Sequence, residues 1–380
     1  VIKLGIEQIG LYRSLFEGKR VGLITNPTGV DQHFKSTIDI LHEVSTLVAL
    51  FSPEHGVRGN VQAGVKLDPY IDPETNAMVY SLYGETRKPT EAMMSEIDIL
   101  CFDIQDVGAR FYTYIYTMAF ALEACKTYGK KMVVFDRPNP LGGVKVEGNI
   151  LDLNFRSFVG YYPIPQRYGL TIGELANYFN DLGDIHADLT VIPMAGYHRQ
   201  MRFKDTEVPF VLPSPNIPTP ETIDAYMATC YFEGTNLSEG RGTTKPFQIF
   251  GAPWFNSKAV LDALKPYDLN GVTFRKHFFT PTFSKHANLL CEGLEMFVTD
   301  VESFEPVKTG VILIHEIEKL HPEFSFIQPP KTSQNLFFNL LMGGDFIEKK
   351  TLTLDEILTK MKADSKQFMT LKERYHLYDL

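Results

Sequence analysis

Thr46 to Gly56 reads Thr-Leu-Val-Ala-Leu-Phe-Ser-Pro-Glu-His-Gly, an uncharged apolar run that breaks at Pro53 into an acid, an imidazole and a glycine. A continuous apolar run, as opposed to strict alternation, describes a strand buried on both faces. Two other stretches repeat the design. Ile97 to Ile104 reads as a strand ending at Gln105-Asp106-Val107-Gly108, and Lys131 to Phe135 as one ending at Asp136-Arg137-Pro138-Asn139-Pro140. Arg20 to Thr25 adds a short strand before the turn Asn26-Pro27-Thr28-Gly29. Between these runs, Ser36 to Val44 predicts an amphipathic helix and Tyr112 to Tyr128 a long one. Repeated strand–helix–strand order with continuous apolar strands predicts an α/β fold, a Rossmann-like, mostly parallel sheet with helices on both faces.

The bulk composition narrows the function. With 380 residues, two domains are the default expectation. A hydrophobic content of 44% with 22% charged residues describes a globular chain. The formal charge of −9 argues against nucleic acid as a partner, because phosphate contacts need clustered Lys and Arg. No apolar run approaches the ~20 residues of a membrane helix. Cys101, Cys125, Cys230 and Cys291 are widely spaced and fit buried free thiols better than disulfides or a zinc site. The chain begins at Val1, which leaves a signal peptide, a lipoprotein leader or an artificial start point open. No G-x-G-x-x-G or Walker loop follows a strand, so no nucleotide cofactor is expected, and G-x-S-x-G and H-E-x-x-H are missing too.

A different kind of segment lies at Glu233 to Thr244, Glu-Gly-Thr-Asn-Leu-Ser-Glu-Gly-Arg-Gly-Thr-Thr. Its polarity excludes a core strand, and its glycines allow close backbone approach to a ligand. It follows Tyr226 to Phe232, which reads as another buried strand. From about Phe255 aromatics and Lys rise and acidic Gly-rich loops stop. Gly310 to Ile314 reads as a strand before a helix at Glu316 to Leu320, and Leu354 to Phe368 as a helix. A boundary near Pro253 to Ser257 divides the chain into a catalytic domain, 1–254, and a smaller α+β auxiliary domain, 255–380.

Loops at the carboxyl ends of parallel strands meet in one crevice. That crevice would gather Glu54, His55, Asp103, Asp106, Asp136, Glu233 and Glu239 with Arg110, Arg137 and Arg241. Neighbouring carboxylates raise one another's pKa while arginines hold some ionised, so one site supplies both an acid and a base. Glycoside hydrolysis commonly uses such a pair. Bland roles compete at each position: Asp103 suits a structural hydrogen bond as well as catalysis, Asp136 can fix a turn, and His55 can be a satisfied core histidine. Glu54 occupies no turn or cap position that needs a carboxylate. No ordered D-x-D or His-containing ligand set supports a metal.

With these residues in view, the chain resembles the NamZ-type exo-β-N-acetylmuramidases, a bacterial family. The matching segments are Gly22–Gly29, Ser52–Gly59, Asp103–Met118, Asp136–Gly143, Gly169–Ala176, Pro213–Thr219 and Glu233–Pro253, in order over most of residues 20–255. The resemblance implies a Rossmann-like catalytic domain joined to an auxiliary domain, and removal of terminal N-acetylmuramic acid from the non-reducing end of peptidoglycan chains. It implies Glu54 as leading catalytic carboxylate, with Asp106, Glu233 and Glu239 as further catalytic candidates. His55, Arg58, Asp103, Arg110, Asp136, Arg137, Asn139, Asn236 and Arg241 become substrate-binding candidates. It also implies no cofactor, a peptidoglycan-derived glycan or muropeptide as partner, and a periplasmic or extracellular location. Tyr168 and Lys245 depart from the family pattern, where His and Arg are expected. Two rivals use the same residues: a periplasmic sugar- or muropeptide-binding protein without catalysis, and a metal-dependent hydrolase built on the acidic cluster.

Overall fold

The computed structural model describes residues 2–53, 56–58, 68–82, 84, 86–329 and 334–380. Seven strands form the main sheet: β1 (Arg20–Thr25), β2 (Thr46–Ser52), β3 (Tyr70–Ile71), β4 (Met78–Ser81), β5 (Ile99–Asp103), β6 (Lys131–Phe135) and β7 (Asp188–Ile192). Their order is β3-β4-β2-β1-β5-β6-β7. Neighbours are parallel except β3 and β4. The predicted Rossmann-like sheet is therefore present.

Alternation along the strands explains their apolar character. Leu100 and Phe102 of β5 enter one core with Phe51, Met132 and Val134, beneath the helices Tyr114–Tyr128 and Ile172–Leu182. Ile99 and Cys101 enter the opposite core with Leu23, Leu50 and Phe135, beneath Gly5–Leu15 and the helix Thr37–Val44. Both faces are covered, so neither set of side chains can be polar. Local signals place the covering helices. Ser36 Oγ caps the Thr37–Val44 helix through Asp39 N–H, Thr171 and Glu174 form a capping box, and Gly129 ends Tyr114–Tyr128 at φ 63°.

A second, antiparallel sheet runs β8-β10-β9, with β8 at Ile249–Ala252, β9 at Val272–Phe279 and β10 at Cys291–Val298. Its core also holds Ile217, Ile223, Tyr231 and Phe232, and Phe111 and Leu141 from the first unit. The second unit thus draws on residues from both sides of Pro253–Ser257. The chain then returns: Phe368 and Tyr375 pack in a core of the main sheet, and Tyr378 O–H donates to Asp136 Oδ2 at 2.5 Å.

Two expected strands are helical. Tyr226 to Phe232 is the end of the helix Pro220–Thr229 and the start of a 3₁₀ turn, Cys230–Gly234. Gly310 to Ile314 lies inside one helix, Pro306–Leu320. The misread stretches themselves are buried throughout and read as continuous apolar runs, while the polar residues that mark one side of Pro306–Leu320, Lys308, His315 and Lys319, lie on either side of Gly310 to Ile314. They also pack closely: a Cβ on Gly310 would stand 2.2 Å from the Ala228 carbonyl oxygen. The four cysteines are free and buried.

Candidate active site

The strand order reverses between β1 and β5, where an α/β sheet usually opens a ligand crevice. Here the protein fills it. Thr25 Oγ1 donates to the Asp103 carbonyl at 2.8 Å, and Gln105 N–H donates to Thr28 Oγ1 at 2.9 Å. The Asp103 carboxylate accepts from Thr37 and, at 2.5 and 2.9 Å, from Nε and Nη2 of Arg137. All of these side chains are buried. This pair is an internal strut between β5 and β6.

Several other candidates also bond within the protein, Arg58 half-buried and the rest buried. The Asp136 carboxylate accepts from Gly173 N–H at 2.7 Å, Thr171 O–H at 2.8 Å, Arg137 N–H at 2.9 Å and Tyr378. Burial pushes its pKa up to about 7. Asp106 accepts from Gly108 N–H at 2.7 Å and from Tyr168, and burial pushes it up to about 6. Asn139 closes a turn through Leu141 N–H and reaches the Leu170 carbonyl. Arg58 grips Asp72 with two bonds of 2.9 and 3.0 Å. Arg110 is fully buried and gives Nη1 to the carbonyls of Asn149 and Ile164, and Nη2 to those of Leu341 and Met342. Its guanidinium staples the first unit to the chain end of the helix Phe337–Met342. Glu54 and His55 lie outside the described residues.

The acidic loop is arranged differently. Arg241 stands between two carboxylates: Nε is 2.9 Å from Glu233 Oε1 and 3.3 Å from Glu239 Oε1, and Nη2 also reaches Glu233. About a third of its side chain meets solvent. Gly240 and Gly242 flank it at φ 86° and 82°, a conformation that L side chains rarely adopt. Lys285, which no sequence signal singled out, ion-pairs with Glu239 Oε2 at 2.7 Å and donates to the carbonyls of Phe232 and Thr235. Asn236 instead anchors the loop, bonding the Glu323 carbonyl and Ser325 N–H.

Burial raises the Glu233 pKa against the pull of Arg241, and the nearby Glu239 charge adds to the rise. Burial opposes the charge on Arg241, but Glu233 outweighs it and holds the guanidinium ionised. The result is a compact set of two acids and two cations. One acid is poised by burial, and a cation remains accessible to a negative ligand.

An aromatic ladder joins this loop to the end of β2. Arg241 lies 5.3 Å over Phe247, which meets Tyr226 at 4.8 Å; Tyr226 meets Tyr112 at 6.0 Å and Tyr112 meets Tyr114 at 5.3 Å. Tyr114 lines a concavity with Pro53, Leu82, Arg87 and Phe158. The Tyr112–Tyr114 segment therefore runs between the acidic loop and Pro53. A separate cavity of about 440 Å³ lies along another face of the helix Pro220–Thr229, lined by Glu221, Asp224, Arg202, Lys245 and Phe297. It contains none of the sequence candidates. Among the described residues, no three His, Cys, Asp or Glu side chains converge in a metal-holding group.

The comparisons agree with this two-unit architecture. The model of the N-terminal domain of exo-β-N-acetylmuramidase NamZ matches residues 21–221, and that of its C-terminal domain matches residues 225–378. The peptidoglycan β-N-acetylmuramidase NamZ of Bacillus subtilis strain 168 is 51% identical over 373 residues, covering 97% of this chain and 89% of that protein. Two crystal structures of DUF1343 family proteins from Bacteroides fragilis NCTC 9343 superpose with TM-scores of 0.91 and 0.79 at 38% and 34% identity. Each alignment covers 100% of this chain and 99% of the other. The chain belongs to the exo-β-N-acetylmuramidase NamZ family.

Proposed function

We propose that this protein is a glycoside hydrolase that releases terminal N-acetylmuramic acid from the non-reducing end of peptidoglycan fragments. The observation that carries the reading is the 51% identity across nearly the whole chain to a peptidoglycan β-N-acetylmuramidase. The site supplies chemistry that fits. Glu54, in the Pro-Glu-His-Gly motif, is the leading acid for the glycosidic oxygen. Glu233 and Glu239 place negative charge where the anomeric carbon becomes positive. Arg241 offers a planar donor to the lactyl carboxylate that distinguishes muramic acid from glucosamine. A substrate that belongs to the cell wall favours action in the periplasm or outside the cell.

The direct test is release of nitrophenol from a 4-nitrophenyl β-N-acetylmuramide beside the matching glucosaminide. Turnover of the muramide alone is the expected result. Tight retention of a muropeptide with no release from either would make this a binding protein. Loss of activity with a chelator would point to a metal-dependent hydrolase.

Arg241→Met separates two contributions of the guanidinium. Loss of the lactyl contact is expected to raise KM for the muramide about tenfold or more, leaving any weak glucosaminidase activity little changed. Loss of its charge also removes what holds Glu233 ionised, so that carboxyl titrates higher still. The limb of the pH–kcat profile set by Glu233 should move to higher pH by about one unit or more. Equal losses on both substrates with an unmoved limb would assign Arg241 to loop architecture.

A further inference from the structure

The hairpin connection between β9 and β10 runs from Thr280 to Leu290 and folds back over the acidic loop. Thr282 donates to the Gly242 carbonyl through N–H at 2.9 Å and through Oγ1 at 3.0 Å. A Cβ on Gly242 would stand 2.7 Å from both the nitrogen and the oxygen of Phe283, so the two loops touch backbone to backbone. Lys285 pins the connection to Glu239 and to two carbonyls of the acidic segment, and His286 Nε2 lies 2.7 Å from the Asn236 carbonyl oxygen.

The backbone of this connection is strained. Ser284, His286 and Asn288 take φ of 68°, 57° and 63°, left-handed conformations at alternate residues of one loop. Such a backbone persists only where surrounding contacts over-determine it, and strain of this kind gathers at functional surfaces. The same connection leaves Phe283, Leu289 and Leu290 at 53%, 53% and 67% exposure. A pinned loop that holds large apolar side chains in water, beside a candidate active site, gains nothing in stability from them and marks a contact surface.

We propose that Phe283 forms a preset platform for the glycan on the far side of the scissile bond. This inference rests on the muramidase reading above. An exo-acting enzyme holds the terminal sugar at the closed end of its site, and the remaining chain leaves through the open rim. The 53% exposure of Phe283 puts it on a rim, and its backbone contact with Gly242 puts that rim next to Arg241. Pyranose rings present C–H faces that pack on aromatic and aliphatic surfaces. A loop already fixed by Lys285 and His286 pays little further entropy when the sugar arrives. Chain-length preference therefore resides in the second unit, at Phe283.

Phe283→Ala and Phe283→Trp are compared on a 4-nitrophenyl muramide and on a tetrasaccharide with N-acetylmuramic acid at its non-reducing end. The alanine variant is expected to raise KM for the tetrasaccharide about tenfold, with kcat and the small substrate within about twofold. The tryptophan variant is expected to restore KM. An unchanged tetrasaccharide KM, an equal loss on both substrates, or a failure of tryptophan to restore would overturn the platform. Wild-type protein that leaves the muramide intact would remove the muramidase reading, and the platform with it.

Discussion

Glu54→Gln is expected to lower turnover of a glycan substrate by about 10²–10⁴-fold, the usual contribution of a positioned general acid or base. The substitution keeps shape and hydrogen-bonding atoms but removes the ionisable proton. A sugar leaving group needs that proton badly and nitrophenolate needs it little, so the loss should shrink as the leaving group improves. KM should change much less than kcat. Steady-state rates across aglycones of graded acidity check this. Unchanged turnover of a poor leaving group would take Glu54 out of the acid role and pass it to Glu233, the acid of the Arg241 loop whose pKa burial raises.

Arg110→Ala is expected to have the largest effect on stability. Its guanidinium is fully buried, and its Nη1 and Nη2 donate to four backbone carbonyls from two distant stretches, Asn149 and Ile164 on one side and Leu341 and Met342 on the other. Alanine leaves those carbonyls without the donor and opens a void of nearly the whole side chain. A cost on the order of 3–5 kcal/mol follows from buried acceptors that lose a charged donor and from lost packing. The thermal midpoint should fall by roughly 4–6 °C for a chain of this size. The KM for the muramide, per folded molecule, should stay within about twofold. Normal melting with a raised KM would return Arg110 to the substrate.

The strands β1, β2, β5 and β6 were legible because they are short, largely apolar and each closed by a Pro- or Gly-containing turn. The strands β3, β4 and β7 were not expected, being very short or mixing polar with apolar residues. The helical stretches Tyr226 to Phe232 and Gly310 to Ile314 were not legible either, since each is buried throughout and reads as an apolar run without a polar stripe. That misreading mattered for the site: the acidic loop leaves a 3₁₀ turn in the second unit, not a strand of the main sheet. It joins the β2 end through Tyr226, Tyr112 and Tyr114. Sequence pattern also could not show which way a polar side chain bonds. Asp103, Arg137, Asp136 and Arg110 carry the residue types that chemistry needs, but their bonds go inward. Lys285 gave no signal at all, because a lysine in a polar connection becomes informative only once the hairpin brings it to Glu239.

The return of Phe368, Tyr375 and Tyr378 to the main sheet has a consequence for biosynthesis. The carboxylate of Asp136 sits at the carboxyl end of β6, and a hydroxyl made much later in translation completes its shell. As the chain emerges from the ribosome, the first unit can form its strands but cannot close its core until the whole second unit has followed it out. The two units are separable in architecture yet complete their folding together. A fragment stopped at the boundary between them would hold an open apolar face and a half-solvated acid, a natural target for quality-control proteases.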